Sequence, residues 1–104
     1  MKYGNIKTVI DGIKFDSKRE AYYYQIYKKL EQQGDLWNLK LQTKLDFKIN
    51  GKHIFYYKPD FEYDDDIGHH VVDVKSPATE KNAVFRLKRK LIENYYKVDI
   101  EIVM

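Results

Sequence analysis

Apolar and polar positions alternate over residues 7–10 and 13–15, on either side of Asp11-Gly12. That pair tolerates the positive φ of a tight turn, so a short N-terminal β-hairpin is predicted. The period then lengthens. Asp16-Ser17 offers a helix N-cap, Gly34 a stop, and Tyr23, Ile26, Tyr27 and Leu30 recur at helical spacing between them. A helix over residues 18–33 follows. Residues 36–49 alternate irregularly and read as extended, with Leu45, Phe47 and Ile49 on one face. Asn50-Gly51 is a type I′ turn signal that pairs residues 44–49 with 52–61. Residues 64–68 make the next turn, and residues 69–75 the following strand. A second helix is predicted over residues 79–96, its apolar stripe Val84, Leu87, Leu91 and Tyr95. Alternation returns over residues 98–103, a closing strand. The order of elements, without repeat or linker, implies one α/β domain: a central mixed β-sheet flanked by two helices, with an N-terminal β-hairpin.

Composition narrows the class. At 104 residues, 43% hydrophobic and 34% charged, the chain has the make-up of a single soluble globular domain rather than a disordered one. No apolar run approaches the roughly 18 residues a membrane span needs, and residues 1–5 lack the apolar segment of a secretory signal. With no cysteine there is no disulfide, thiolate zinc site or cysteine nucleophile, so a cytoplasmic setting is expected. The net charge is only +3, but it is unevenly placed: residues 60–73 hold six acids and no Lys or Arg, and residues 76–97 hold six bases against two acids. An acidic pocket beside a basic helix suits a polyanion held near a cation, although a solvated helix face has the same composition.

The chemistry concentrates in residues 58–76. Residues two apart on a strand share a face, so Asp73 and Lys75 project together while Val72 and Val74 project to the other side. If the hairpin folds symmetrically about its acidic turn, Tyr63 pairs with His70 and Asp60 comes opposite Asp73. Facing carboxylates repel, and a divalent cation removes that penalty; oxygen ligands without cysteine favour Mg²⁺ or Mn²⁺. The rival is a wet surface hairpin with Lys75 as ion-pair partner. Glu20 is also open to two readings. Ser17-Lys18-Arg19-Glu20 is a capping box, yet Glu20 lies at the edge of the helix stripe and is able to face the sheet. His69 and His70 point to opposite faces and read as ordinary edge residues. Residues 64–68 are no calcium loop, since the twelfth position from Asp64 is Lys75. Gly-rich phosphate loops, HExxH and serine-nucleophile motifs are absent from the sequence.

Glu20, Pro59-Asp60 and Asp73-Val74-Lys75 together resemble the PD-(D/E)xK signature of the restriction-endonuclease-like nuclease superfamily. The likeness covers nearly the whole chain and is strongest to a group of small phage-encoded nucleases first catalogued as of unknown function. Phe15-Asp16-Ser17-Lys18-Arg19-Glu20, Leu39-Lys40-Leu41-Gln42 and Phe85-Arg86-Leu87-Lys88-Arg89-Lys90 fit that group. Two positions depart from it: Ser76-Pro77 follows the motif lysine where relatives often carry Gly, and Thr43 follows Gln42 where they often carry Pro. The resemblance implies a restriction-endonuclease-like core and Mg²⁺- or Mn²⁺-dependent hydrolysis of DNA. Asp60 and Asp73 would ligate the metal with the Val74 carbonyl, and Glu20 directly or through water. Lys75 would position or activate the attacking water. Lys88 and Arg86, with Arg89, Lys90 and Tyr24, would contact DNA. A phage or prophage origin makes branched DNA, including the Holliday junction, the expected substrate class, and resolution by two cuts implies a homodimer. The alternatives are a DNA-binding module that has lost turnover and a structural protein in which Asp60, Asp73 and Lys75 form an ion-pair network.

Overall fold

The computed structural model describes residues 7–104; residues 1–5, read above for a secretory segment, lie outside that range. The N-terminal hairpin forms as expected, β1 (Thr8–Ile10) against β2 (Ile13–Phe15). Helix α1 (Lys18–Gln32) starts where the sequence places its cap, with Ser17 Oγ accepting from the Glu20 backbone N–H at 3.1 Å. Its inward face is set slightly round from the predicted stripe: Ala21, Tyr24 and Tyr27 are buried, and Tyr23 and Leu30 only partly so.

The predicted extended segment 36–49 is two strands in two sheets. β3 (Trp37–Leu41) and β4 (Leu45–Ile49) are separated at Gln42, whose φ of 49° lies in the left-handed region. β4 pairs with β5 (Lys52–Tyr57) around Asn50-Gly51, both residues at positive φ as a type I′ turn requires. β5 ends at Tyr57, not at Phe61. Pro59 lacks a ladder N–H, and the chain uses residues 58–60 to cross from this ribbon into the main sheet. There β6 (Phe61–Asp64) and β7 (His69–Val74) pair antiparallel, with Tyr63 opposite His70 as predicted. β8 (Ile100–Val103) joins β7 in parallel, giving a mixed four-stranded sheet in the order β3-β6-β7-β8.

Among the described residues there are three helices where two were predicted. Pro77–Glu80 forms a one-turn helix, α2, capped by Ser76, and Asn82 caps a fresh start for α3 (Ala83–Tyr96). The face α3 buries overlaps the predicted stripe only in its C-terminal half, where Leu91 packs inward and Tyr95 lies against Phe47. Val84 and Leu87 are 60% and 59% exposed, and the inward residues are Phe85, Leu91 and Ile92. Apolar residues occupy both neighbouring faces of this helix, so periodicity alone does not select one. The β4–β5 ribbon, which packs Phe47, Phe55 and Tyr57 against α3, makes the choice.

The result is three layers. Phe61, Val72 and their neighbours on one sheet face pack under α1 and the N-terminal hairpin; Val71 and Ile100 on the other pack under α3 and the β4–β5 ribbon. Ile92 has no exposed surface and sits at the centre of the second layer. Ile92→Ala is expected to cost about 2–5 kcal/mol of unfolding free energy, measurable by urea denaturation.

Candidate metal centre

The ladder that pairs Phe61 with Val72 puts Asp60 opposite Asp73 one step further on, beyond the last paired residues. Pleat alternation then turns Asp73 away from Val72 and Val74, which pack toward α1. Asp73 has no exposed surface at all. Its Oδ2 accepts a hydrogen bond from the Tyr57 hydroxyl. Among the described residues its Oδ1 has no hydrogen-bond partner, and Lys75 Nζ stands 3.7 Å from it. A buried carboxylate oxygen left in that condition is costly unless a cation or proton serves it.

Asp60 is held in place from across the strand pair, its Oδ2 accepting from the Val74 N–H at 2.7 Å. Burial pushes its carboxyl up to about 8, reinforced by the charges of Asp73 and then Glu20, against the lowering effect of the Val74 N–H. Glu20 is only 7% exposed. Ser17 supplies its half of the capping box, while the Glu20 carboxylate accepts from Gln42 Nε2 at 3.3 Å. Burial raises this acid too; the Gln42 hydrogen bond and the Lys75 charge act the other way, and Asp16 and Asp73 add to the rise. Gln42 also donates its backbone N–H to the Asp60 carbonyl at 3.2 Å. Its left-handed backbone thus lets one residue tie Glu20 to the Asp60 strand.

Glu20, Asp60, Asp73 and Lys75 therefore meet at one end of the sheet and feel one another's charge. They are neighbours rather than a closed cage: among the described residues no three His, Cys, Asp or Glu side chains are drawn together tightly enough to hold a metal ion as they stand. The donor set nevertheless fits a hard divalent ion. It is all oxygen, burial and then the charges of Asp73 and Glu20 raise the Asp60 pKa, and among the described residues no hydrogen-bond donor reaches the buried Asp73 Oδ1.

Around this cluster runs an aromatic wall. Lys75 Nζ lies 5.1 Å over the Phe85 ring, Phe85 stacks on Tyr57 at 6.5 Å, and Lys88 Nζ lies 5.3 Å over Phe55. Lys88 thus packs against the β4–β5 ribbon, and Lys90 is exposed. Arg86 and Arg89 are engaged within the fold. Arg86 Nε donates to the Glu80 carbonyl at 3.0 Å, and Arg89 Nη2 to the Ile100 carbonyl at 2.7 Å. Tyr24, expected to face DNA, is buried against Phe15 with its hydroxyl on Asp11 Oδ2 at 2.8 Å. It packs inward because the buried face of α1 runs through Ala21 and Tyr24.

Sequence reasoning missed Tyr57 and the role of Gln42. Tyr57 was recoverable: it continues the inward alternation of the ribbon and stands two residues before Pro59. The histidines are likewise more than edge residues. His69 bridges Glu62 (2.9 Å) and Asp64 (2.8 Å), and His70 bridges Asp65 (2.8 Å) and Glu101 (2.6 Å). The Asp64 hydrogen bond raises the His69 pKa against its partial burial. For His70, burial lowers it but the Glu101 and Asp65 hydrogen bonds outweigh that, and the net direction is up.

Tyr57→Phe removes a donor from a fully buried carboxylate. The expected cost is about 1–3 kcal/mol of unfolding free energy in metal-free buffer, and added Mn²⁺ should narrow the gap to wild type in the same urea titration.

A mixed-sheet α/β domain that brings three acids and a lysine to one sheet end defines a protein organised around an acidic, oxygen-only centre. The chain belongs to a family described as a protein of unknown function, DUF1064, whose model matches residues 1–103. Comparison with curated proteins and with solved structures returns no match.

Proposed function

We propose that this protein is a Mg²⁺- or Mn²⁺-dependent endonuclease of the PD-(D/E)xK type that hydrolyses phosphodiester bonds in DNA. One observation carries the reading: Asp60 and Asp73 face each other across neighbouring strands, with Lys75 Nζ 3.7 Å from a buried Asp73 Oδ1 that no hydrogen-bond donor reaches among the described residues. An ion pair on the surface would leave neither a carboxylate oxygen buried nor a second acid beside it with a raised pKa.

Asp60, Asp73 and the Val74 carbonyl would hold the ion, with Glu20 completing the set. When bound, it supplies charge for the phosphoryl oxygens and lowers the pKa of a water. The chain's own groups do the rest. Tyr57 and the Val74 N–H fix the two aspartates, and Gln42 fixes Glu20. Lys75 orients the attacking water and offsets the phosphate's negative charge, and Phe85 limits where its ammonium can move. Hydrolysis forms one P–O bond from water and breaks one to a sugar oxygen, which leaves with a proton.

Branched or structured DNA, including the Holliday junction, is the substrate class this reading favours, by analogy with the resembling nucleases. Paired cuts at a junction require two such centres, hence a homodimer. Labelled four-way junction, flap and linear duplex incubated with and without Mg²⁺ test the proposal. Metal-dependent cleavage is expected, fastest on a branched substrate. Binding without cleavage under either metal would instead mark a DNA-binding module, and neither binding nor cleavage an ion-pair network.

A further inference from the structure

The β4–β5 ribbon carries charge that neither α3 nor the acidic centre accounts for. Residues 44–58 hold Lys44, Lys48, Lys52 and Lys58 against the single acid Asp46, a formal +3 that equals the net charge of the entire chain. The remainder of the protein balances. Asp46 is itself engaged, by His53 Nδ1 at 2.6 Å and Lys48 Nζ at 3.7 Å.

The ribbon's two faces differ in kind. Leu45, Phe47, Phe55 and Tyr57 turn inward to the core beneath α3. Opposite residues of an antiparallel pair share a face, so the Asp46–Tyr56 and Lys48–His53 pairs turn outward together. There Tyr56 is 52% exposed, with Lys44 Nζ 4.6 Å over its ring and the His53 ring 4.3 Å from it. Exposed aromatic surface interleaved with lysines suits nucleic acid better than it suits solvent. Position adds to this. Tyr57, at the ribbon's root, bonds Asp73, so the lysines extend outward from the acidic centre itself. From Tyr57 to Lys52 an antiparallel strand spans roughly 17 Å, about five base-pair steps of duplex. A two-stranded ribbon is also of a width that the major groove of DNA admits.

We infer that the β4–β5 ribbon is a duplex-DNA-binding arm, its outward-facing Lys44 and Lys48, and Lys52 on the opposite face of the exposed tip where it pairs with Ile49, neutralising backbone phosphates of the DNA that flanks the acidic centre. This rests on the nuclease reading for the choice of DNA and is tested separately from it. Fluorescence anisotropy in EDTA, where no cleavage occurs, measures binding of a labelled linear duplex across a salt series. Wild type is compared with Lys48→Glu/Lys52→Glu, with Lys48→Arg/Lys52→Arg, and with Lys29→Glu/Lys97→Glu as an equal charge change outside the ribbon. The ribbon reversal should weaken binding at least about tenfold and make the slope of log K against log salt shallower by about 2. The arginine pair should bind like wild type, and the outside pair should change the slope by less than half as much. Wild-type slope and affinity in the ribbon reversal, an equal loss in the outside pair, or no binding by wild type would each overturn the inference. All three variants lie on exposed positions, and circular dichroism verifies that each is folded. Failure of the nuclease reading has a different signature: intact ribbon-dependent binding in EDTA with no cleavage in Mg²⁺ or Mn²⁺.

Discussion

Asp73→Ala is expected to reduce Mg²⁺-dependent DNA cleavage on the order of 10³-fold or more while leaving affinity for uncleaved DNA in EDTA within about threefold. The asymmetry follows from placement. Asp73 has no exposed surface, so it would contribute nothing to a face that meets nucleic acid, yet its Oδ1, which lacks a hydrogen-bond donor among the described residues, is the oxygen best placed to hold an ion beside Lys75. Single-turnover cleavage and anisotropy on the same preparation separate the two quantities. Lys75→Ala should behave similarly, with cleavage lost and binding nearly kept, because its ammonium is held inward between Asp73 and Phe85. Near wild-type cleavage by Asp73→Ala would place the chemistry elsewhere.

The second large effect is on stability as a function of pH. Asp60 has its pKa raised from 3.8 to about 8 in the folded protein, so the native state binds this proton more tightly than the unfolded chain does. The stabilisation linked to that proton is complete below about pH 4 and is lost as pH rises through 8. Glu20 shifts in the same direction. His69 and His70 are also raised, so their contribution is present below pH 6.5 and lost above it. Asp64 and Asp65 act oppositely: hydrogen bonds, chiefly from Asn38 and His69 to Asp64 and from His70 to Asp65, hold them below 3.8. Their contribution disappears only in strong acid. The metal-free protein should therefore be most stable near pH 4 and lose Tm steadily toward pH 8.5. On the proposed reading Mg²⁺ or Mn²⁺ would replace the Asp60 proton, so added metal should raise Tm most at the alkaline end and little at pH 5. Differential scanning fluorimetry over that range, with EDTA and with each metal, checks both halves. Asp60→Asn should flatten the metal-free profile and abolish the metal-dependent rise.

Much of this was legible from residues alone because strands obey a period of two. Once the acidic turn is centred on residues 64–68, the pairing of Tyr63 with His70 follows, and with it the meeting of Asp60 and Asp73. The start of α1 was legible too, since Ser17 carries its own capping signal. What resisted was anything decided by a distant partner. The buried face of α3 depends on the β4–β5 ribbon packing against it, and Val84 and Leu87 are as apolar as the residues that won. The split of residues 36–49 depends on the backbone turn at Gln42, a residue type that seldom marks a left-handed position. Glu20 shows both limits. Its capping partner was readable three residues away, whereas the Gln42 amide that engages its carboxylate lies 22 residues further on. The histidines illustrate the same point, since His70 reaches Glu101 across the parallel β7–β8 pair.

Crystals soaked in Mn²⁺ and recorded at the manganese absorption edge test the central claim most directly. The account predicts an anomalous peak between the Asp60 and Asp73 carboxylates, with Glu20 within coordinating reach and the Tyr57 hydroxyl still on Asp73. A peak confined to the acidic turn at residues 64–66, or none between Asp60 and Asp73 at saturating Mn²⁺, would contradict it.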